Sequence, residues 1–113
     1  PVPLHARKLK KRGFNQSELF GRGLAEGIGL DLRLNCLERA SATTTQTRQS
    51  RFGRWKNVES VFGLKDPAFI EGRHVLLVDD VVTTGATLEA CANTLLKAKG
   101  VKVSIAAMAA ARV

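Results

Sequence analysis

The apolar positions of the chain form their most regular patterns in its second half. Residues 75–78 are a continuous apolar run, which is typical of a central parallel strand covered on both faces. The turn at 83–87 is followed by a predicted helix that ends near Lys99, and residues 101–108 form a second apolar strand. These three elements predict a βαβ unit, so the chain is expected to be α/β with an at least partly parallel sheet. The buried face of the helix is predicted to hold Leu88, Cys91, Ala92, Leu95 and Leu96.

The start of the chain is less regular. Residues 1–4 look like the tail of a strand, and residues 5–14 look like a polar, basic loop. A helix is predicted to begin at Asn15, a good N-cap residue, with Glu18 as its capping-box partner. The apolar stripe of this helix is predicted to consist of Leu19, Phe20, Leu24 and Ile28.

The middle of the chain contains a short alternating stretch and a long polar one. Apolar and polar residues alternate from Leu30 to Cys36, which predicts a strand with one solvent-facing side. Residues 40–50 have no apolar periodicity and many hydroxyl groups, so they are predicted to form a long mobile loop, a length typical of functional lids or of disordered segments. A short helix over 50–56 and a loose strand or turn over 61–64 are expected to follow.

The length and composition of the chain indicate one globular domain. The chain has 113 residues, of which 44% are hydrophobic, and we expect a single domain over 1–113. No apolar run approaches the roughly 20 residues that a membrane-spanning helix needs. The chain opens on Pro1 without an initiator Met, so we expect a piece of a longer protein with a truncated first strand.

Two cysteines bear on the compartment and on metal binding. Cys36 and Cys91 lie far apart in the sequence and outside any CxxC pair, so no zinc site is expected within the chain. Two reduced, partly buried thiols in a cytoplasmic protein are predicted, with a structural disulfide as the alternative. No secretory leader is recognisable, which agrees with a cytoplasmic location.

The excess positive charge lies entirely in the first half of the chain. Residues 1–56 hold 12 Lys and Arg against 4 Asp and Glu, which accounts for the whole net charge of +8. The charge is densest over 7–12 and again over 48–56. Such clusters attract nucleic acid or a small phosphate-rich molecule, although a single cluster is also typical of an ordinary solvated surface.

The candidate chemistry lies where the central strand ends. Asp79 and Asp80 follow the apolar run, and ligands of open α/β sheets bind beyond the carboxyl ends of the strands. The turn at 83–87 then leads into a helix whose first N–H groups favour an anion. The carboxylates can accept hydrogen bonds from sugar hydroxyls or hold Mg²⁺, while the turn binds a phosphate. A phosphorylated ribose has the groups that such a site would bind.

The acidic pair also fits two other interpretations. An Asp-Asp pair after a strand is often a helix cap or a solvated edge. A response-regulator receiver domain also opens on such a run, but it needs a later phosphate-accepting Asp, and the only acidic residue after Asp80 is Glu89. The receiver interpretation therefore fails.

The string VLLVDDVVTTGAT over 75–87 resembles the motif by which type I phosphoribosyltransferases bind 5-phosphoribosyl 1-pyrophosphate (PRPP). Four further strings are similar to the ComF/GntX family, and the resemblance spans essentially the whole chain. These strings are PVPLH at 1–5, RGFNQ at 12–16, T-x-x-Q at 43–46 and R-x-x-N-x-x-x-x-F at 54–62.

The resemblance implies the type I phosphoribosyltransferase fold, with a parallel-sheet core and helices on both faces. It implies that Asp79 and Asp80 contact the ribose hydroxyls and take Mg²⁺ together with PRPP. They are also the candidate catalytic residues. The ribose and phosphate site would further include Val82, Thr83, Thr84, Gly85, Ala86 and Thr87. The pyrophosphate loop would include His5, Arg7 and Arg12. The flexible loop that closes over PRPP would include Arg39, Thr43, Gln46 and Arg54.

The resemblance leaves two classes of function open. One is an enzyme that transfers phosphoribosyl from PRPP to a nitrogenous acceptor and releases pyrophosphate. The other is a non-catalytic protein that binds ribose phosphate or nucleic acid in DNA uptake, with single-stranded DNA or competence proteins as partners. ComF-like proteins typically begin with a four-cysteine zinc module, which this chain lacks. The acceptor and the oligomeric state stay open, a dimer included.

Overall fold

The structure is a computed structural model, and it describes residues 1–39 and 61–112. Within these ranges the chain forms four helices and four strands. In chain order they are α1 (Ala6–Arg12), α2 (Gln16–Ile28), β1 (Leu37–Arg39), β2 (Phe62–Leu64), α3 (Pro67–Ile70), β3 (His74–Val82), α4 (Ala86–Leu95) and β4 (Lys102–Ala110).

The centre of the fold is the pair of parallel strands β3 and β4, joined by α4. The register runs from His74 opposite Lys102 to Val82 opposite Ala110. The predicted βαβ unit and the α/β class are thereby confirmed. The strand does not stop before the acidic pair as the sequence suggested, because Asp79 and Asp80 still lie within β3.

The first residues of the chain lie alongside β3. The Val2 N–H donates to the Val78 carbonyl oxygen over 2.8 Å, and the Val2 side chain is buried. Residues 1–4 form no regular strand, but this hydrogen bond places them on the edge of β3 that β4 does not occupy. Because β3 forms backbone hydrogen bonds with β4 on one edge and with Val2 on the other, it lies in the central position that the sequence predicts.

Helices cover both faces of β3. Leu77 belongs to the same buried cluster as Cys91 and Leu95 of α4. Val78 instead lies against Gly21 of α2, where a Cβ atom on the glycine would come within 3.1 Å of it. Because successive side chains of a strand point to opposite faces, α4 and α2 pack on opposite sides of the sheet.

The buried face of α4 differs in part from the prediction. Leu88, Cys91 and Leu95 are buried as expected, but Leu96 is 51% exposed because the helix ends at Leu95. Thr94 is instead almost fully buried, and its hydroxyl donates to the Ala90 carbonyl oxygen over 2.8 Å. This hydrogen bond satisfies the buried hydroxyl.

The segment predicted as a basic loop over 5–14 is largely helical. The imidazole of His5 caps α1 by accepting a hydrogen bond from the Arg7 N–H, and Gly13 ends the helix at a φ of 83°. That conformation costs a residue with a side chain about 1–2 kcal/mol, so glycine is the natural helix stop here. The loop prediction was wrong because local capping outweighed the run of like charges.

The start of α2 was predicted correctly, and its buried face was predicted in part, since Phe20 and Leu24 are half-buried. The Asn15 side chain accepts a hydrogen bond from the Ser17 N–H, as an N-cap does, while Glu18 forms an ion pair with Arg22. Ser17 and Gly21 face the sheet, whereas Leu19 and Ile28 are each more than half exposed. Small residues are favoured on the packed side because α2 lies close to β3.

The alternating stretch from Leu30 to Cys36 forms no strand. It is irregular chain, and the strand begins only at Leu37, where β1 pairs antiparallel with β2. The Leu32 side chain lies against Gly21 of α2, so the stretch packs on a helix and does not pair with a strand. The strand or turn predicted over 61–64 is confirmed as β2, whereas the short helix α3 was not anticipated.

The predicted loop over 40–50 and the predicted helix over 50–56 lie outside the described residues.

Both cysteines are free thiols, and burial raises the pKa of Cys91 to about 12. In the part of the chain that the structure describes, no helix combines the length and apolarity needed to cross a membrane.

Candidate functional site

The acidic pair lies near the carboxyl end of β3, and its two members differ in exposure. Asp79 is 9% exposed and its Oδ1 accepts two hydrogen bonds of 2.9 Å, from the Ser17 hydroxyl and from the Asp80 N–H. Asp80 is only half-buried, and its Oδ1 accepts from the Val81 N–H over 2.8 Å. The first carboxylate is therefore fixed in place, while the second stays accessible.

The environment of Asp79 makes its charge unfavourable. Burial raises the pKa of Asp79 above its ordinary value, and the hydrogen bond from Ser17 opposes that shift. A buried carboxylate with a raised pKa gains from any ligand that supplies positive charge or hydroxyl donors. Perturbed carboxylates of this kind cluster at functional sites, so the position of Asp79 supports a binding role.

The loop after β3 has the backbone of an anion site. Gly85 has a φ of 84° and caps α4 without a side-chain hydrogen bond. Of the loop hydroxyls, Thr84 accepts from the Ala86 N–H over 3.3 Å, which is a long contact. The first turn of a helix has unpaired N–H groups and a favourable dipole, so the start of α4 can hold a phosphate.

Asp79 and the loop share one small cavity of about 40 Å³. Its lining consists of Asp79, Val81, Val82, Thr83, Thr84, Gly85, Ala86, Thr87 and Leu88. This volume holds about three water molecules, so it suits a compact oxyanion and not a whole nucleotide. Since a carboxylate and a phosphate repel each other, a ligand that binds both must place hydroxyl groups or a cation between them.

The donor set of the site fits magnesium only in part. Within residues 1–39 and 61–112 no group of three or more His, Cys, Asp or Glu side chains could hold a metal ion. Two neighbouring carboxylates are nevertheless present, and Mg²⁺ is usually held by one or two carboxylates with the substrate's phosphates and water. Asp79 and Asp80 therefore fit a magnesium ion that arrives with a phosphorylated ligand.

The residues predicted for the pyrophosphate loop lie on or beside α1. His5 is its N-cap, and Arg7 and Arg12 are exposed residues of the helix. In the described part of the chain, neither arginine forms an ion pair or side-chain hydrogen bond with the acidic pair. The structure brings Asp79 and the loop together, but it does not join these cations to them.

One residue predicted for the flexible loop is described. Arg39 ends β1, and its guanidinium lies over the Phe62 ring, 5.4 Å from the ring centroid. This contact anchors Arg39 beside the antiparallel pair of β1 and β2. Thr43, Gln46 and Arg54, which were predicted to act with it, lie outside the described residues.

Sequence reasoning missed Ser17. Its hydroxyl binds Asp79 across 62 positions of the chain, and both side chains are buried. No local pattern links the two residues, because α2 brings Ser17 to the sheet only when the chain folds. The N-cap at Asn15 was a partial signal, since it fixes where the first turn of α2 begins.

Comparison with known proteins shows the family to which the chain is similar. A family model described as a phosphoribosyl transferase domain matches residues 17–113. The DNA utilization protein YhgH of Salmonella typhi is 41% identical over 96 residues, which cover 85% of this chain and 41% of that protein. Competence protein F of Haemophilus influenzae is 35% identical over 98 residues, which cover 86% of this chain and 43% of that protein.

A third relative, competence protein ComFC of Bacillus subtilis, is 35% identical over 106 residues, covering 92% of this chain and 40% of that protein. The chain thus spans about two fifths of the length of the curated relatives it matches. No solved structure matches the chain significantly.

Proposed function

Because the chain belongs to the family of phosphoribosyl transferase domains, in the group of ComF-like proteins, we propose that it binds PRPP together with Mg²⁺. One observation carries this proposal: the buried carboxylate of Asp79 and the loop over 83–87 line the same cavity at the carboxyl end of β3. A ligand whose phosphate occupies this cavity and whose vicinal diol donates to Asp79 meets both requirements.

Each part of the site takes one part of the ligand. The N–H groups at the start of α4 and the hydroxyls of Thr83, Thr84 and Thr87 bind the 5-phosphate. Asp79 and Asp80 accept hydrogen bonds from the ribose 2- and 3-hydroxyls. Mg²⁺, when bound, neutralises the diphosphate and lowers the repulsion between it and the two carboxylates.

We propose that the chemistry, where turnover occurs, is displacement of pyrophosphate from C1 of the ribose. A nitrogen nucleophile forms the new bond to C1 as the C1–O bond breaks, pyrophosphate leaves with the electron pair, and the nitrogen gives its proton to solvent. The protein's part is to orient the ribose and balance charge. Arg7 and Arg12, which form no ion pair with the acidic pair within the described residues, are proposed to supply positive charge toward the leaving pyrophosphate when the ligand is bound.

The first prediction tests the binding site directly. Isothermal titration of PRPP with Mg²⁺ into the protein should show binding that the double variant Asp79→Ala/Asp80→Ala loses. A loss of at least about tenfold in affinity is expected, since each charge-assisted hydrogen bond contributes about 1.5–3 kcal/mol.

A matched control removes two carboxylates elsewhere. Glu26 and Glu71 are exposed, so Glu26→Ala/Glu71→Ala changes the net charge equally and should leave PRPP affinity unchanged. If folded protein does not bind PRPP in the presence of Mg²⁺, or if the control loses as much affinity as the site variant, the proposal is wrong.

A second candidate function is DNA handling without catalysis. The relatives are named for competence and DNA utilization, and α1 carries five cations, Arg7, Lys8, Lys10, Lys11 and Arg12, with no acidic residue. A short exposed helix of one charge sign suits a phosphate backbone. The same helix would serve the PRPP proposal only through Arg7 and Arg12, so Lys8, Lys10 and Lys11 separate the two functions.

A further inference from the structure

A second, larger cavity lies away from the acidic pair. It measures about 290 Å³ and opens between α2, α3 and residues 74–78 of β3. These residues of β3 precede Asp79, so the cavity adjoins the opposite half of the strand from the candidate PRPP site. Its size is close to the lower limit of about 300 Å³ for small-molecule pockets.

The inside of this cavity is apolar. Its walls include Leu24 and Ala25 of α2 and the buried side chains of Leu37, Leu77 and Leu95. Ile28 and Leu30, also in the lining, are each more than half exposed to solvent. Apolar surface left open to water is unfavourable, so an apolar ligand that covers it is stabilised by the hydrophobic effect.

Two cations lie at this cavity on a single aromatic ring. The guanidinium carbons of Arg33 and Arg73 lie 3.6 and 4.5 Å from the centroid of the Phe69 ring. All three residues belong to the cavity lining, and Phe69 packs against the core. Because both guanidinium carbons lie within 4.5 Å of the same ring centroid, they are at most about 8 Å apart, although their charges repel each other.

Neither guanidinium is neutralised by the described part of the chain. Within residues 1–39 and 61–112 the ion pairs are Arg22 with Glu18 and Lys65 with Glu38, and neither involves Arg33 or Arg73. Asp31 lines the cavity but forms no ion pair with either arginine, and the His74 imidazole is hydrogen-bonded to Ser104 over 2.6 Å. Among the described residues, neither arginine therefore has an anionic partner.

We propose that this cavity binds a small amphipathic anion, with its apolar body between α2 and β3 and its carboxylate or phosphate head on Arg33 and Arg73. Guanidinium groups bind such heads in a bidentate way, which gives the ligand its orientation. The site shares no polar residue with the candidate PRPP site.

The test compares two probes with the same apolar body. Octanoate and octan-1-ol are each titrated into the protein, and the perturbed amide signals are followed by NMR. Octanoate is expected to bind roughly tenfold tighter than the alcohol, because the alcohol lacks the charge that the arginines pair with. Perturbed signals are expected on α2 and residues 74–78.

Three variants localise the binding. Arg33→Gln/Arg73→Gln should remove the advantage of octanoate over octan-1-ol, whereas Lys97→Gln/Lys99→Gln, an equal change of charge outside the cavity, should keep it. Ala25→Phe should fill the cavity and weaken both probes. Circular dichroism melts establish that each variant is folded.

Several results would overturn the proposal. They are equal affinity of the native protein for octanoate and octan-1-ol, no binding of either probe, and octanoate binding that survives Ala25→Phe. The comparison on the native protein stands even if a variant fails to fold. Because PRPP is not used, failure here leaves the proposed PRPP site untouched.

Discussion

At the scale of single residues, the hydrogen bond between Ser17 and Asp79 decides how the acidic pair behaves. The donor and acceptor are 2.9 Å apart and both side chains are buried. The hydroxyl stabilises the charged carboxylate, which burial alone disfavours. Ser17 is therefore a positioning residue that also favours the ionised form of Asp79.

Removing that hydroxyl should shift the pH dependence of ligand binding. In Ser17→Ala the pKa of Asp79 rises further, so PRPP affinity should begin to fall at a higher pH as the solution is acidified. Titrations of PRPP with Mg²⁺ between about pH 4 and 7, spanning the ordinary range of carboxyl groups, measure this shift. Ser17→Thr keeps a hydroxyl and should keep the native profile. A lowered melting temperature with an unchanged pH profile would reduce Ser17 to a structural role.

Neutralising Asp79 should stabilise the fold while abolishing ligand binding. Because the pKa of Asp79 is raised in the folded state, Asp79 contributes most to the stability of the fold at low pH, where it is protonated. This contribution is lost as the pH rises through the folded-state pKa. Asp79→Asn has no such loss and can still accept from Ser17. The variant should therefore gain in urea midpoint relative to the native protein between about pH 4 and pH 7. A native protein that is more stable than the variant at neutral pH would contradict the assignment.

At the scale of elements, α2 shows how small residues allow close packing. A Cβ atom added at Gly21 would lie 3.1 Å from Val78 Cγ2 and 3.2 Å from Leu32 Cδ1, whereas one added at Gly23 meets no atom within 4 Å. A side chain at Gly21 would thus press on Val78 and Leu32, which would have to shift by a few tenths of an ångström. Gly23 only weakens the helix, by about 1 kcal/mol relative to alanine.

Alanine at these two glycines should have opposite effects on stability. Gly23→Ala should stabilise the protein by roughly 0.5–1 kcal/mol, since it only improves helix propensity. Gly21→Ala gains the same propensity but must push the buried Val78, and overpacking of a core costs about 1–3 kcal/mol. Urea unfolding of the two variants checks the order. Equal stabilisation by both would show that α2 and β3 are less tightly packed than the structure indicates.

At the scale of the whole molecule, charge is distributed unevenly over the fold. The chain carries a net charge of +8, and five of the seven residues of the exposed helix α1 are basic. The acidic pair, by contrast, lies at the carboxyl end of β3 with one carboxylate buried. We therefore expect a long polyanion to contact α1 and a compact phosphorylated ligand to bind at the loop after β3.

Neutralising part of α1 should weaken nucleic-acid binding and leave PRPP binding intact. In Lys8→Gln/Lys10→Gln/Lys11→Gln, the log affinity for single-stranded DNA should depend less steeply on log salt. The magnitude of this slope should fall by about 2, because each of the three lost phosphate contacts contributes roughly 0.7. Filter binding over a salt series measures the slope. Lys97→Gln/Lys99→Gln/Lys102→Gln removes equal charge elsewhere and should change it little. Equal slopes for both triple variants would remove the case for α1 as a DNA-binding helix.

The sequence by itself determined the parallel strands, the crossover helix, and the order of acidic pair and loop. Each of these is encoded within a short window, because strand periodicity, helix periodicity and turn residues act between near neighbours. The boundaries were less exact, since β3 continues to Val82 and α4 ends at Leu95. The assignment of Asp79 and Asp80 to one sheet edge needed no further information.

The tertiary structure alone decided which residues meet across the chain. It placed Ser17 on Asp79, turned Gly21 toward Val78, and packed Leu32 on α2 where alternation had predicted a strand. It also brought Arg33 and Arg73 onto the ring of Phe69. These contacts join residues from separate elements, and their free energy depends on packing and burial that no local pattern contains.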